Sequence, residues 1–154
     1  MAVHSKRRTF VNLIINNLKE IDGDVSPFDS SYTFGTNVFT NVFRGAGNFE
    51  NINDYPTIKV ISGPERYTYN TVGNTESTLV ILLRCYLHNG DRSELKAAVD
   101  NLIQDIDHVV YKMPTTDECL QQITIMEVDS DQGLLGDYAI VEIKLMLAYE
   151  LSNI

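Results

Sequence analysis

The sequence predicts an α+β fold: a mostly antiparallel sheet of about four to five strands with two helices packed on it. Three stretches carry that expectation. Residues 78–88 form an apolar strand in which Leu79, Val80, Ile81, Leu82 and Leu83 leave neither face polar until Arg84 restores alternation, the signature of a central strand. After the turn Asn89-Gly90-Asp91, the residues Leu95, Ala98, Val99, Leu102, Ile106, Val109 and Val110 recur at three- and four-residue steps, with Lys96, Asp100, Gln104 and Asp107 opposite, as in an amphipathic helix. Residues 138–149 alternate strictly, with Ala139, Val141, Ile143, Leu145 and Leu147 on one side and Glu142, Lys144 and Met146 on the other.

In chain order, residues 5–21 read as a first helix with the stripe Phe10, Val11, Ile14, Ile15, Leu18 and Ile21, and Gly23 is placed to cap its C-terminus. Lys6, Arg7 and Arg8 gather at the helix start, where the dipole already presents positive charge, so they read either as a solvated end or as a contact for an acidic partner. Residues 22–55 lose helical period and form a long loop region holding Phe28, Tyr32, Phe34, Phe39, Phe43 and Phe49. Within it residues 37–44 have strand composition, with Val38 and Val42 on one side and Phe39 and Phe43 on the other. Loop aromatics of this kind either fold back onto the body or meet another protein.

Residues 56–62 form a short strand that opens on Pro56 and that Gly63-Pro64 is expected to end. Residues 66–77 then read as one arm and the loop of a hairpin leading into the central strand. The long helix starts at Asp91, which with Glu94 makes a capping-box pattern. Residues 113–118 are a linker, and strands over 121–128 and 138–149 are joined by an acidic turn at 129–137. The 154 residues suit one domain spanning 1–154, large enough to bury about 70% of the surface its unfolded chain exposes.

Composition limits function. Twelve basic against twenty-one acidic residues give a net charge of −9, which argues against specific nucleic-acid binding and against anionic membranes. Cys85 and Cys119 have no CxxC spacing and read as reduced thiols of a cytosolic protein. The longest apolar run is too short to span a bilayer, and the basic N-terminus lacks the apolar segment of a signal peptide, so a soluble chain is expected.

No catalytic, metal or cofactor site is expected. Cys85 and His88 point to opposite faces of a strand, and no second ligand pair completes a zinc site. Asp129 and Asp131 lack the remaining offsets of a calcium loop and read as a solvated hairpin tip. Gly45-Ala46-Gly47 lacks the lysine and serine of a phosphate loop. Of His4, His88 and His108, none accompanies a nucleophile elbow, and His108 sits late in a helix, where a cation is favourable.

The order of elements, the strand beginning Tyr55-Pro56-Thr57-Ile58-Lys59-Val60, the helix after Asn89-Gly90-Asp91, and an ending in which an acidic turn precedes an alternating strand closing on Tyr149-Glu150 together resemble the tail-terminator, or tail-completion, proteins of long-tailed bacteriophages. The resemblance implies a structural virion protein without enzymatic activity. It would form a homohexameric ring on the head-proximal end of the tail, end tube polymerisation and offer the head-docking face. The implied partners are further copies of itself, the tail-tube protein and a head-completion or connector protein, with DNA passing through the ring. Assembly would take place in the host cytoplasm. Heterologous ring closure needs two different patches on each subunit. The candidates are the 45–55 loop with Phe49 and Tyr55, the 66–77 hairpin with Arg66, Tyr67 and Tyr69, and the 129–137 turn with Asp129, Asp131 and Asp137. Two other readings use the same elements: another head–tail connector component, or a cytosolic ligand-binding regulatory domain whose pocket the loop aromatics would line. A small hydrolase is a weaker third.

Overall fold

The computed structural model describes residues 6–45, 56–69, 73–115, 119–131 and 136–152. Their order is α1 (Arg7–Leu18), β1 (Val42–Arg44), β2 (Thr57–Tyr69), β3 (Asn74–His88), α2 (Arg92–Lys112), β4 (Leu120–Ser130) and β5 (Tyr138–Ser152). The five strands form one sheet in the order β1-β2-β3-β5-β4, antiparallel throughout except where β1 runs parallel to β2. This is the α+β architecture that the hydrophobic patterning predicts, with β3 at the centre.

Both helices lie on one face of the sheet, α1 over β1 and β2, and α2 over β3, β5 and β4. The alternation explains the choice of face. Leu79, Ile81, Leu83, Cys85 and Leu87 of β3 and Ala139, Val141, Ile143, Leu145, Leu147 and Tyr149 of β5 all point toward the helices and are buried. They meet Phe10, Val11, Ile14, Ile15 and Leu18 from α1 and Leu95, Val99, Leu102, Ile106, Val109 and Val110 from α2 in one cluster. Among the described residues no helix covers the opposite face, and Val80, Leu82, Met146 and Ala148 are half-buried there beside charged neighbours.

Four local expectations need correction. Gly23 does not cap α1. The helix ends at Leu18 because the amides of Glu20 and Ile21 turn back to the carbonyls of Asn17 and Leu18 at 3.1 and 3.2 Å, and Gly23 (φ 81°) bends the chain farther on. The strand expected over 37–44 shrinks to β1, since Phe39 adopts φ 46° and the chain turns there. Its sidedness survives: Val38 and Val42 are buried, Phe39 and Phe43 exposed.

Gly63-Pro64 does not end β2, which runs on to Tyr69 through a register slip between Ser62 and Glu65. A bulge absorbs the proline's missing donor, and Gly63 fits because a Cβ there would stand 3.0 Å from the Val80 carbonyl oxygen. Finally, the capping box at α2 is half made. Asp91 Oδ1 accepts from the amides of Ser93 (2.9 Å) and Glu94 (3.4 Å), but the Glu94 carboxylate takes the Asn89 amide group at 3.2 Å in place of the Asp91 N–H.

Candidate assembly surfaces

Helix α2 holds the long loop in place. Asp105 sits inside the apolar stripe, fully buried, and accepts four hydrogen bonds from one stretch of loop. The donors are the Tyr32 hydroxyl (2.7 Å), the Gly35 and Thr36 amides (3.1 and 2.8 Å) and the Thr36 hydroxyl (2.5 Å). One turn on, His108 stacks on the Tyr32 ring at 3.9 Å and shares a 2.7 Å hydrogen bond with Ser26 Oγ. Phe28 and Phe34 close around the same imidazole. Three of the loop aromatics therefore fold back onto the body, packed against one another and His108.

Burial pushes the Tyr32 phenol far above its ordinary range, with the Asp105 contact adding to the effect, and lowers the His108 pKa below 6.5. Burial thus disfavours the charged form of His108, which corrects its reading as a favourable cation at a helix end. Its Ser26 partner is itself buried, and Ser26 Oγ also accepts from the Phe28 amide at 3.1 Å, so the pair is a loop anchor.

The second surface is the far end of the β2–β3 hairpin. Beyond the bulge, Glu65, Tyr67 and Tyr69 face the helix side while Arg66 faces the open side. Glu65 is drawn into a polar knot with Arg7 (3.4 Å), Ser77 (3.3 Å) and the Tyr149 hydroxyl, which ties α1 to the hairpin base. Arg66 is exposed, and Tyr67 and Tyr69 extend past the core at 38% and 70% exposure.

The third surface lies at the opposite end of the sheet, around the β4–β5 connection. Asp129 is a strand residue, not part of a hairpin tip: it is exposed on β4, directly opposite Glu142. Asp131 closes the pairing, its carboxylate and amide meeting the Ile140 amide and carbonyl at 3.0 and 3.2 Å. Asp137 is exposed, and its carbonyl accepts the Asn89 amide at 2.9 Å, joining this turn to the end of β3. The three aspartates are thus brought together, apart from Arg66, Tyr67 and Tyr69. Phe49 and Tyr55 lie outside the described residues.

Besides the Asp105 anchor, two features escaped sequence reasoning. On the open face the register lines up Lys59, Arg84, Glu142 and Asp129 across four strands, and only the inner pair closes, Arg84 to Glu142 at 3.0 Å. On the helix side, α2 and the end of β4 leave a groove of about 450 Å³ lined by Leu95, Val99, Ile103, Val128 and Asp129. The row could not be found without the register. Asp105 left a signal, a charge three residues after Leu102 and four before Val109 on the buried stripe.

Cys85 is buried, which raises its thiol pKa, and His88 is exposed on the other face, as the strand geometry requires. Among the described residues no group of three or more histidine, cysteine, aspartate or glutamate side chains is placed to hold a metal, and no helix is long and apolar enough to cross a membrane.

Comparison with known proteins agrees with this architecture. The chain is similar to a tail tube terminator protein of Escherichia phage T5, 25% identical over 126 residues that cover 74% of this chain and 77% of the relative. In fold it is similar to a chain from the virion of a native gene transfer agent particle, with a TM-score of 0.51 and 11% identity over 74% of this chain and 81% of that one. The family model described as Bacteriophage Tail Tube Terminator Protein matches residues 5–154, and the chain belongs to that family.

Proposed function

We propose that this protein closes into a homohexameric ring on the head-proximal end of the finished tail tube, stops tube polymerisation there, and presents the surface on which a head-completion or connector protein docks. The observation that carries this reading is the family match over residues 5–154. The structure is compatible in three respects. Among the described residues the sheet ends in two different edge strands, β1 and β4, which suits the two unlike patches of a head-to-tail ring. The aromatic hairpin end and the acidic turn stand at opposite ends of the sheet, so tube and head could be met by different surfaces. A net charge of −9 suits a conduit that must let DNA slide through without holding it.

The protein acts by shape and not by catalysis in this reading. The buried contact between His108 and Ser26 anchors a loop. The test is polymerisation of purified tail-tube protein with and without this protein. Substoichiometric addition is expected to arrest growth, leaving short tubes with extra density at one end in electron micrographs. Unchanged tube lengths at saturating protein, with bare ends, would overturn the proposal.

A further inference from the structure

Resting on the ring reading, we infer that the ring seam joins the outer part of β4 on one copy to β1 and the start of β2 on the next, matching an acidic sheet edge to a basic one. The row on the open face is polarised, basic toward β2 and acidic toward β4. Lys59 stands directly opposite Arg84, and Asp129 directly opposite Glu142. Like charges facing each other across strands destabilise a sheet, so each subunit carries one unfavourable pair near either edge. A neighbour placed edge to edge eases both, because Asp129 of one copy then lies beside Phe43 of the next copy's β1, over whose ring the Lys59 ammonium reaches at 4.5 Å.

The composition of the edges agrees. Residues 119–137 contain Glu127, Asp129, Asp131 and Asp137 and no lysine or arginine, whereas residues 37–44 and 56–61 contain Arg44 and Lys59 and no acid. Each edge also exposes apolar side chains beside its charges: Met126 (54%) and Val128 (42%) on β4, Phe39 (56%) and Phe43 (45%) at β1.

Access and polarity fix the segment. The Tyr111 hydroxyl accepts the Ile125 amide at 3.1 Å, so the end of α2 guards the first half of β4. Met126, Glu127, Val128 and Asp129 are exposed, and α2 stands off to leave the groove beside Val128. Rotation about a ring axis preserves strand direction along that axis. Since β4 runs opposite to β5, β5 opposite to β3, β3 opposite to β2, and β1 along β2, β4 meets the next copy's β1 antiparallel, the more stable pairing.

The test is charge exchange in the full-length protein, read by native mass spectrometry with thermal melting in parallel. Glu127→Lys with Asp129→Lys, or Arg44→Glu with Lys59→Glu, should each raise the concentration needed for ring formation at least tenfold. Each melting temperature should change little, because Asp129→Lys gains Glu142 and Lys59→Glu gains Arg84 as cross-strand partners, while Glu127→Lys gives up its 3.7 Å pair with Lys144, Arg44→Glu its hydrogen bond to Asn12, and Lys59→Glu its place over the Phe43 ring. All four changes in one chain should restore the ring. An equimolar mixture of the two double variants should assemble with an even number of alternating subunits. Rings that persist in both double variants at the wild-type concentration would place the seam elsewhere and leave the ring reading standing. A normally melting quadruple variant that stays monomeric would equally overturn the seam. A wild-type chain that never associates, alone or on tube ends, would instead overturn the ring reading and the seam with it.

Discussion

Replacing Asp105 by alanine is expected to unseat the long loop, at a cost set by four hydrogen bonds. The carboxylate is fully buried and all four of its partners come from the loop, at 2.5 to 3.1 Å. Hydrogen bonds to a charged group contribute about 1.5–3 kcal/mol each, and a buried donor left unpaired costs roughly 1–3 kcal/mol. These terms do not add, because a loop that lifts away returns its donors to water. The expected loss for Asp105→Ala is therefore about 3–5 kcal/mol, at the upper end for a single substitution. Asp105→Asn keeps the shape and one acceptor but turns an NH2 toward N–H or O–H donors, and should lose roughly 2–3 kcal/mol. Asp107→Ala, exposed two residues on, should stay within about 0.5 kcal/mol. Urea unfolding measures all three, and limited proteolysis of residues 22–40 reports the loop directly. A loss below about 1 kcal/mol for Asp105→Ala would mean that the loop is held by its aromatics and not by the buried carboxylate.

Other outcomes follow from single contacts. His108 resists protonation in the folded chain because burial lowers its pKa, with Lys112 pushing the same way and Asp29, Asp105 and Asp107 opposing. Its contribution to stability is complete above the ordinary value of 6.5 and is lost as pH falls below it, where the unfolded chain binds a proton that the folded one refuses. Melting temperatures at pH 7.5 and 5.5 should therefore drop more for wild type than for His108→Gln. Asp91→Ala removes the side-chain acceptor at the α2 N-terminus and should cost about 1 kcal/mol in urea unfolding. Leu102→Ala empties a fully buried position between α2 and the sheet and should cost about 2–5 kcal/mol by the same measurement.

The parts of the fold legible in the sequence are those that bury one continuous face. The stripe of α2, the double-sided apolar run of β3 and the alternation of β5 each state their partner in their own period. Misreadings arose where the partner decides. Gly63-Pro64 is a strand terminator by local rules, yet β3 continues past it and a one-residue bulge lets β2 follow. Residues 37–41 have strand composition, but the Val38 and Phe39 amides both bond to the Ile21 carbonyl at 2.8 Å and a turn results. His108 lies near a helix end, which normally favours a cation, but the loop aromatics cover it. Of the proposed surface residues, Arg66, Tyr67 and Tyr69 were placed by loop and aromatic patterning, and Asp129 by its acidic surroundings. That Asp129 ends a row beginning at Lys59 is a property of strand register, which aligns these two residues through Arg84 and Glu142 on the strands between them and leaves no local trace.

The chain is proposed to work as a ring on the tube end. Native mass spectrometry of the purified protein, over a concentration series and with added tail-tube protein, tests it most directly. A sixfold species, free or bound to tube ends, is the expected result. A monomer at every concentration, indifferent to the tube, would contradict the claim.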